Sequence, residues 1–262
     1  MNLLLGLQTF HPFAYCPSWG PIGILPLDAR VERMRDPEVR RTLVAEAREP
    51  DEVMRQFLDP SRAFPLTDPP DYEPSASQSI AAIAAREGRE PMDVFYDAVI
   101  ADDGRAFVMR PLLNFTEGNL DAVREMLMHP TTTWGLGDGG AHAGTTCDAS
   151  TPTTMLTHWA RDRADGIPLE TVVHKMTART AELYGLGDRG RVLPGLRADL
   201  NVIDHDNLRL HAPVMVHDLP ADARRFVQRA SGYVASLVAG RVTMREGVET
   251  GARPGALIRG GR

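Results

Sequence analysis

Trp134-Gly135-Leu136-Gly137-Asp138-Gly139-Gly140-Ala141-His142 continues a stretch, Thr131 to Leu136, whose β-branched residues predict a short strand. Ahead of it, Phe107 to Leu113 reads as a buried strand, and Asn119 to Met128 carries apolar residues at helical spacing. Strand, helix, strand predicts a parallel unit and an α/β fold class. The loop from Gly135 to Gly144 then lies at a strand's carboxyl end, where α/β folds place reacting groups, and its glycines let a ligand approach the backbone. Asp138 is therefore a candidate general base or metal ligand. Aspartate beside glycine also marks ordinary turns, and these residues alone leave both readings open.

Outward from this loop, punctuation marks the other elements. The opening run from Met1 to Phe10 is apolar and suits a buried strand. Asp36-Pro37 supplies an N-cap and a first-turn proline for a helix through about Arg48, and a second helical stretch is expected around Asp51 to Leu58. Asp59 to Pro74 contains prolines at 60, 65, 69, 70 and 74, too many for a regular element. Ser75, Ser77 or Ser79 can cap a helix through Arg86, and Pro91 opens another containing Met92, Phe95 and Val99. Helices are also expected from Pro152, over Leu169 to Met176 and over Ala178 to Leu186. After Gly187 the pattern turns to strands, at Leu200 to Ile203, Tyr233 to Val238 and Arg241 to Met244, the last two about Gly240.

The chain has 262 residues, 43% hydrophobic and 24% charged, with a formal net charge of -6. This is the composition of an ordinary folded protein. Arginines are interspersed with acids and form no basic stripe, which argues against nucleic acid or anionic lipid as a partner. The N-terminal apolar run meets His11-Pro12 well short of the ~20 residues that span a bilayer. Cys16 and Cys147 are too few for a disulfide framework, so a reducing cytoplasm is the expected compartment.

Several constellations invite a sharper reading. Ser150 with Asp148 and His142 or His158 lacks a Gly-x-Ser-x-Gly elbow, and Cys147 has no sequence feature that would lower its pKa. The loop 135–144 lacks the Lys-Ser/Thr ending of a P-loop. His142 either contacts a substrate or shapes its loop. His158, Trp159, His174 and Tyr184 sit in helical patterns and are expected to pack or face solvent, and Arg161, Asp162 and Arg163 to form a solvated cluster.

Taken together, ordered motifs carry a family resemblance. Gly137-Asp138-Gly139-Gly140-Ala141-His142, Cys147-Asp148-Ala149-Ser150 and Thr154-Met155-Leu156-Thr157-His158-Trp159 resemble amidohydrolases of the D-aminoacylase type. Asp188-Arg189-Gly190, Pro194-Gly195, Ala198 to Asp204 and Thr250 to Gly255 follow in the same order, and Gly6 to Phe10, Met34 to Pro37 and Leu113 to Phe115 extend the resemblance upstream. It implies the C-terminal part of a metal-dependent (β/α)8 barrel over residues 1–186, followed by a β-rich, sandwich-type subdomain over 187–262. It further implies a hydrolase of non-peptide carbon-nitrogen bonds, with a small N-acyl-D-amino acid or related amide as substrate and zinc as the cofactor. Asp138 matches the aspartate that moves the proton from water to the leaving nitrogen and is a possible metal ligand, while Gly139, Gly140 and His142 are candidate substrate contacts.

Against this stand the eight histidines, none of which forms the His-x-His pair that the family uses early in its barrel. His11, alone at a proline-containing turn, reads as structural, because zinc ligands come in clusters of three or four. A lone Asp138 does not hold zinc. The length points the same way, since a (β/α)8 barrel takes ~250 residues by itself. The expectation is an incomplete barrel: a fragment or non-catalytic remnant, or one half of an enzyme completed by another chain. Expressed alone, such a chain should expose strand edges and apolar helix faces and self-associate. Sedimentation should show oligomers or aggregates, and a monodisperse monomer with cooperative melting would contradict the expectation.

Overall fold

The computed structural model describes residues 2–48, 59–136, 144–147 and 149–258. Contacts divide the chain into two units that interleave in sequence. The first comprises Met1–Leu120, Ala141–Cys147 and Ala212–Val227, and the second comprises Asp121–Gly140, Asp148–His211 and Gln228–Arg262. The helical stretch expected around Asp51 to Leu58 lies outside the described residues.

In the first unit, β1 (Asn2–Leu5) leads through two 3-10 turns to helices α1 (Leu27–Met34) and α2 (Pro37–Ala47). Asp36 caps α2 as its position before Pro37 predicts, its side chain accepting from the Glu38 N–H. Strand β2 (Phe64–Pro65) follows, then α3 (Ile80–Glu87) and α4 (Pro91–Gly104). Of the three candidate serines, Ser79 caps α3 by accepting from Ala82 N, while Ser75 caps the short 3-10 turn before it. The end of α4 is not helical: Ala101 is extended, and Asp102 and Asp103 take φ of 50° and 48° before β3 (Val108–Pro111) begins.

The sheet order is β1-β3-β2, and both pairings are antiparallel, with Leu3 opposite Arg110 and Phe64 opposite Met109. This corrects the parallel unit expected between Phe107–Leu113 and Thr131–Leu136: β3 instead pairs antiparallel with β1 and β2. The connection between β1 and β3 is long and helical, so it permits either direction, and the antiparallel ladder is slightly the more stable per residue. The expected strand Thr131 to Leu136 is also absent. Its carbonyls and those just before it face another donor, Lys175, whose Nζ bonds Leu127 O, His129 O and Thr132 O. An ammonium group there takes the place that a neighbouring strand would fill.

Two apolar clusters fill this unit. One packs Phe13, Trp19, Met34, Leu43, Phe95, Tyr96 and Val99 between the loop after β1 and helices α1 to α4. Phe13 meets Tyr96 edge-on at 4.9 Å between centroids, and the Tyr96 hydroxyl donates to Met34 O at 2.9 Å. The other joins Leu4, Phe64, Phe107 and Met109 of the sheet region to Phe226 of the hairpin Val214–Leu219 and Ala223–Val227.

The second unit starts with α5 (Asp121–Met128). A helix opening at Thr151–Thr154 widens to π-helical form over Met155–Asp162, and α6 (Leu169–Met176) and α7 (Ala178–Leu183) follow. Strands β4 (Leu200–Ile203), β5 (Tyr233–Val238), β6 (Arg241–Arg245) and β7 (Val248–Glu249) form an antiparallel sheet in the order β7-β6-β5-β4. The β5–β6 turn places Ala239 and Gly240 at φ of 50° and 74°, the two consecutive positive values of a tight hairpin turn.

Phe13 is fully buried and contacts both Phe95 and Tyr96, so Phe13→Ala should lower the unfolding free energy by about 3–5 kcal/mol. Urea denaturation of the wild type and variant checks this; a change below about 1 kcal/mol would show that the cluster collapses around the gap.

Candidate functional site

Asp138, Gly139, Gly140 and His142 lie outside the described residues, which resume at Gly144. The chain leaving that motif is well anchored in the first unit. Thr145 O accepts from Leu4 N of β1 at 3.0 Å, Thr146 is buried, and Cys147 packs against the cluster that contains Leu4, Phe107 and Met109. Gly144 lies beside the hairpin: a Cβ built on it would stand 3.8 Å from Arg224 Nε.

The carboxyl end of β1 opens onto a second group of polar side chains. Arg30 Nη1 donates to Leu7 O at 2.6 Å, while its Nη2 donates to Gly23 O at 2.9 Å and Leu25 O at 3.0 Å. The guanidinium stacks over Trp19 at 5.8 Å, and the other neighbour of that indole is the His11 ring, edge-on at 4.5 Å. His11 is 2% exposed, and its Nδ1 has no hydrogen-bond partner; Arg30 Nε is likewise buried and unpaired. Burial, followed by the charge of Arg30, lowers the His11 pKa to about 3, so the ring is neutral at ordinary pH. The same two effects act on Arg30, whose pKa falls first through burial and then through the charge of Arg224.

Of the other candidates, Cys16 is buried with its thiol against Leu43 O, and burial with Glu46 nearby pushes its pKa up to about 11, which leaves it an unreactive thiol. His158 stands edge-on to Trp159 at 5.2 Å, while His174 and Tyr184 are exposed. Ser150 is buried, and its imagined partners Asp148 and His142 are outside the described residues. Arg161 is tied to the carbonyls of His205 and Leu208 as well as to Asp162, so it is more than a solvated charge. Sequence spacing had not linked Arg30 with Arg224, which lie 194 positions apart, although the charge of Arg224 bears on Arg30 in the fold.

Among the described residues, no three His, Cys, Asp or Glu side chains gather as a metal-holding group. The donor set of the described residues therefore does not fit a metal. No described helix is long and apolar enough to cross a membrane.

Comparison with known proteins sharpens the motif reading. The sequence model of the Amidohydrolase family matches residues 1–244. The D-aminoacylase of Alcaligenes xylosoxydans xylosoxydans is 36% identical over 104 residues, which are 40% of this chain and 19% of that protein. An uncharacterized protein of Mycobacterium tuberculosis is 32% identical over 136 residues, 50% of this chain and 21% of that one. Of solved structures, a D-aminoacylase described as defining a novel subset of amidohydrolases is 26% identical over 73% of this chain and 36% of that chain, with a TM-score of 0.41. A D-aminoacylase studied for its binuclear metal centre gives the same figures. The matched stretch is thus about a fifth of the curated relatives' length.

His11 makes acid stability a measurable property of this region. A folded-state pKa of about 3 against an ordinary 6.5 means that its contribution is complete above pH 6.5 and is lost as the pH falls towards 3, because the unfolded chain takes up a proton that the folded one refuses. His11→Asn removes the titration. Urea melts at pH 7 and pH 4 should show the wild type losing several kcal/mol more than the variant over that interval. Equal losses in both proteins would show that His11 titrates normally.

Proposed function

Because this chain belongs to the Amidohydrolase family, we propose that it acts in the hydrolysis of non-peptide carbon-nitrogen bonds, with N-acyl-D-amino acids as its substrate class. The observation that carries the reading is the 36% identity to a D-aminoacylase, taken with the motif Gly137 to His142. In this proposal the Asp138 carboxylate takes a proton from water as the water oxygen adds to the amide carbonyl carbon. The same proton then passes to the amide nitrogen as the carbon-nitrogen bond breaks, releasing a carboxylic acid and a free amino acid. Gly139 and Gly140 leave room for the acyl group close to the backbone, and His142 is a substrate contact.

Zinc belongs to this reading as an expectation from the family, and D-aminoacylase is described as having a binuclear metal centre. None of this chain's eight histidines forms a His-x-His pair, which favours a second reading in which another polypeptide segment completes the site. On that view the partner is a complementing chain or a second copy.

Purified chain should be assayed for metal content and for hydrolysis of N-acetyl-D-leucine, alongside Asp138→Asn. Turnover that falls at least about a hundredfold in the variant supports the proposal. Turnover that the substitution leaves unchanged would remove Asp138 from the chemistry, and absence of both metal and turnover would leave the completed-site reading, to be tested by adding in trans an amidohydrolase segment that carries a His-x-His pair.

A further inference from the structure

The first unit contains a cavity of about 340 Å³ between the segment that follows β2, the turn before β3 and the start of the hairpin at Val214. Its floor is apolar and well fixed. Leu66 N donates to Phe107 O at 2.9 Å, the Phe107 ring meets Phe226 edge-on at 5.0 Å, and both Phe107 and Pro213 are buried. Met215 packs against the same cluster. The volume is at the small end of ligand pockets, which run from about 300 to 1,000 Å³.

Three charged residues, Asp68, Asp102 and Arg105, line the same cavity, and all three are exposed. Asp102 and Arg105 come from one turn, in which Arg105 N donates to Asp102 O at 3.0 Å, so a carboxylate and a guanidinium are presented together. Asp68 Oδ1 accepts from Ala212 N at 3.3 Å, which ties the second carboxylate to the loop that carries Pro213. Among the described residues, nothing hydrogen-bonds to or pairs with the Asp102 carboxylate. Arg105 has Asp103 O at 3.3 Å and Asp28 Oδ1 at 3.5 Å, but the Asp28 side chain is 84% exposed, and a pair so open to water is weak. Charges of both signs are thus available to a ligand lying over an apolar floor.

We propose that this cavity binds a free amino acid with an apolar side chain: Arg105 takes its carboxylate, Asp102 and Asp68 take its ammonium group, and Leu66, Phe107 and Met215 cover its side chain. A ligand that is only a cation would face Arg105, and one that is only an anion would face two carboxylates. A ligand carrying both charges on one carbon atom meets every charge of the lining, and the planar fork of a guanidinium matches a carboxylate. The inference goes beyond the hydrolytic reading and does not rest on it, because binding here needs neither turnover nor Asp138.

Calorimetric titration of the full chain with DL-leucine, leucinamide and isocaproate tests this, since leucinamide lacks the carboxylate and isocaproate lacks the ammonium group. Leucine should bind at least about tenfold more tightly than either. Asp102→Asn should weaken leucine by about tenfold or more, and Arg105→Gln should remove its advantage over leucinamide. Asp103→Asn, beside the cavity but outside its lining, should bind as the wild type does. A wild type that binds leucine no better than leucinamide holds an organic cation instead and overturns the proposal, and one that binds leucine no better than isocaproate, or binds none of the three, overturns it as well. Leucine binding that both Asp102→Asn and Arg105→Gln leave unchanged lies elsewhere on the chain and has the same consequence.

Discussion

The Arg30 guanidinium holds three backbone carbonyls at once, those of Leu7, Gly23 and Leu25, and the long connection between β1 and α1 is organised around that fork. This connection is made of two 3-10 turns and one short α-helical turn, Gly20–Gly23, punctuated by Pro12, Pro17, Pro21 and Pro26, so several of its carbonyls lack a ladder partner. A buried carbonyl without a donor is costly, and one side chain supplies three of them. The consequences spread outward: Trp19 is sandwiched between Arg30 and His11, the chain before it delivers Phe13 to Tyr96, and Tyr96 in turn ties α4 to the end of α1 through Met34 O.

Much of the local structure was legible because its causes are local. Asp36 before Pro37, Ser79 before an alanine-rich run, Pro91 at a first turn and Gly240 between two alternating segments each specify an element end through a cap, a fixed φ or a positive φ. Strand direction has no such local cause. Whether β1 and β3 run parallel or antiparallel depends on the path of everything between them, and the period-2 pattern reads the same either way. Thr131 to Leu136 illustrates a different limit. Its β-branched residues favour an extended chain, but extension becomes a strand only if a second strand meets it, and none does; its Thr132 carbonyl accepts from Lys175 Nζ instead.

The site divides along the same line. Gly137 to His142 identifies the family because it is a contiguous motif, and the motifs around it preserve their order. The cationic group at the end of β1 left no trace of that kind. Arg30 reads locally as one more charge on an amphipathic helix, Arg224 as one of two arginines in a polar hairpin, and His11 as a polar residue before a proline. What singles out His11 and Arg30 is burial with an unpaired nitrogen on each, neither of which is a property of sequence spacing.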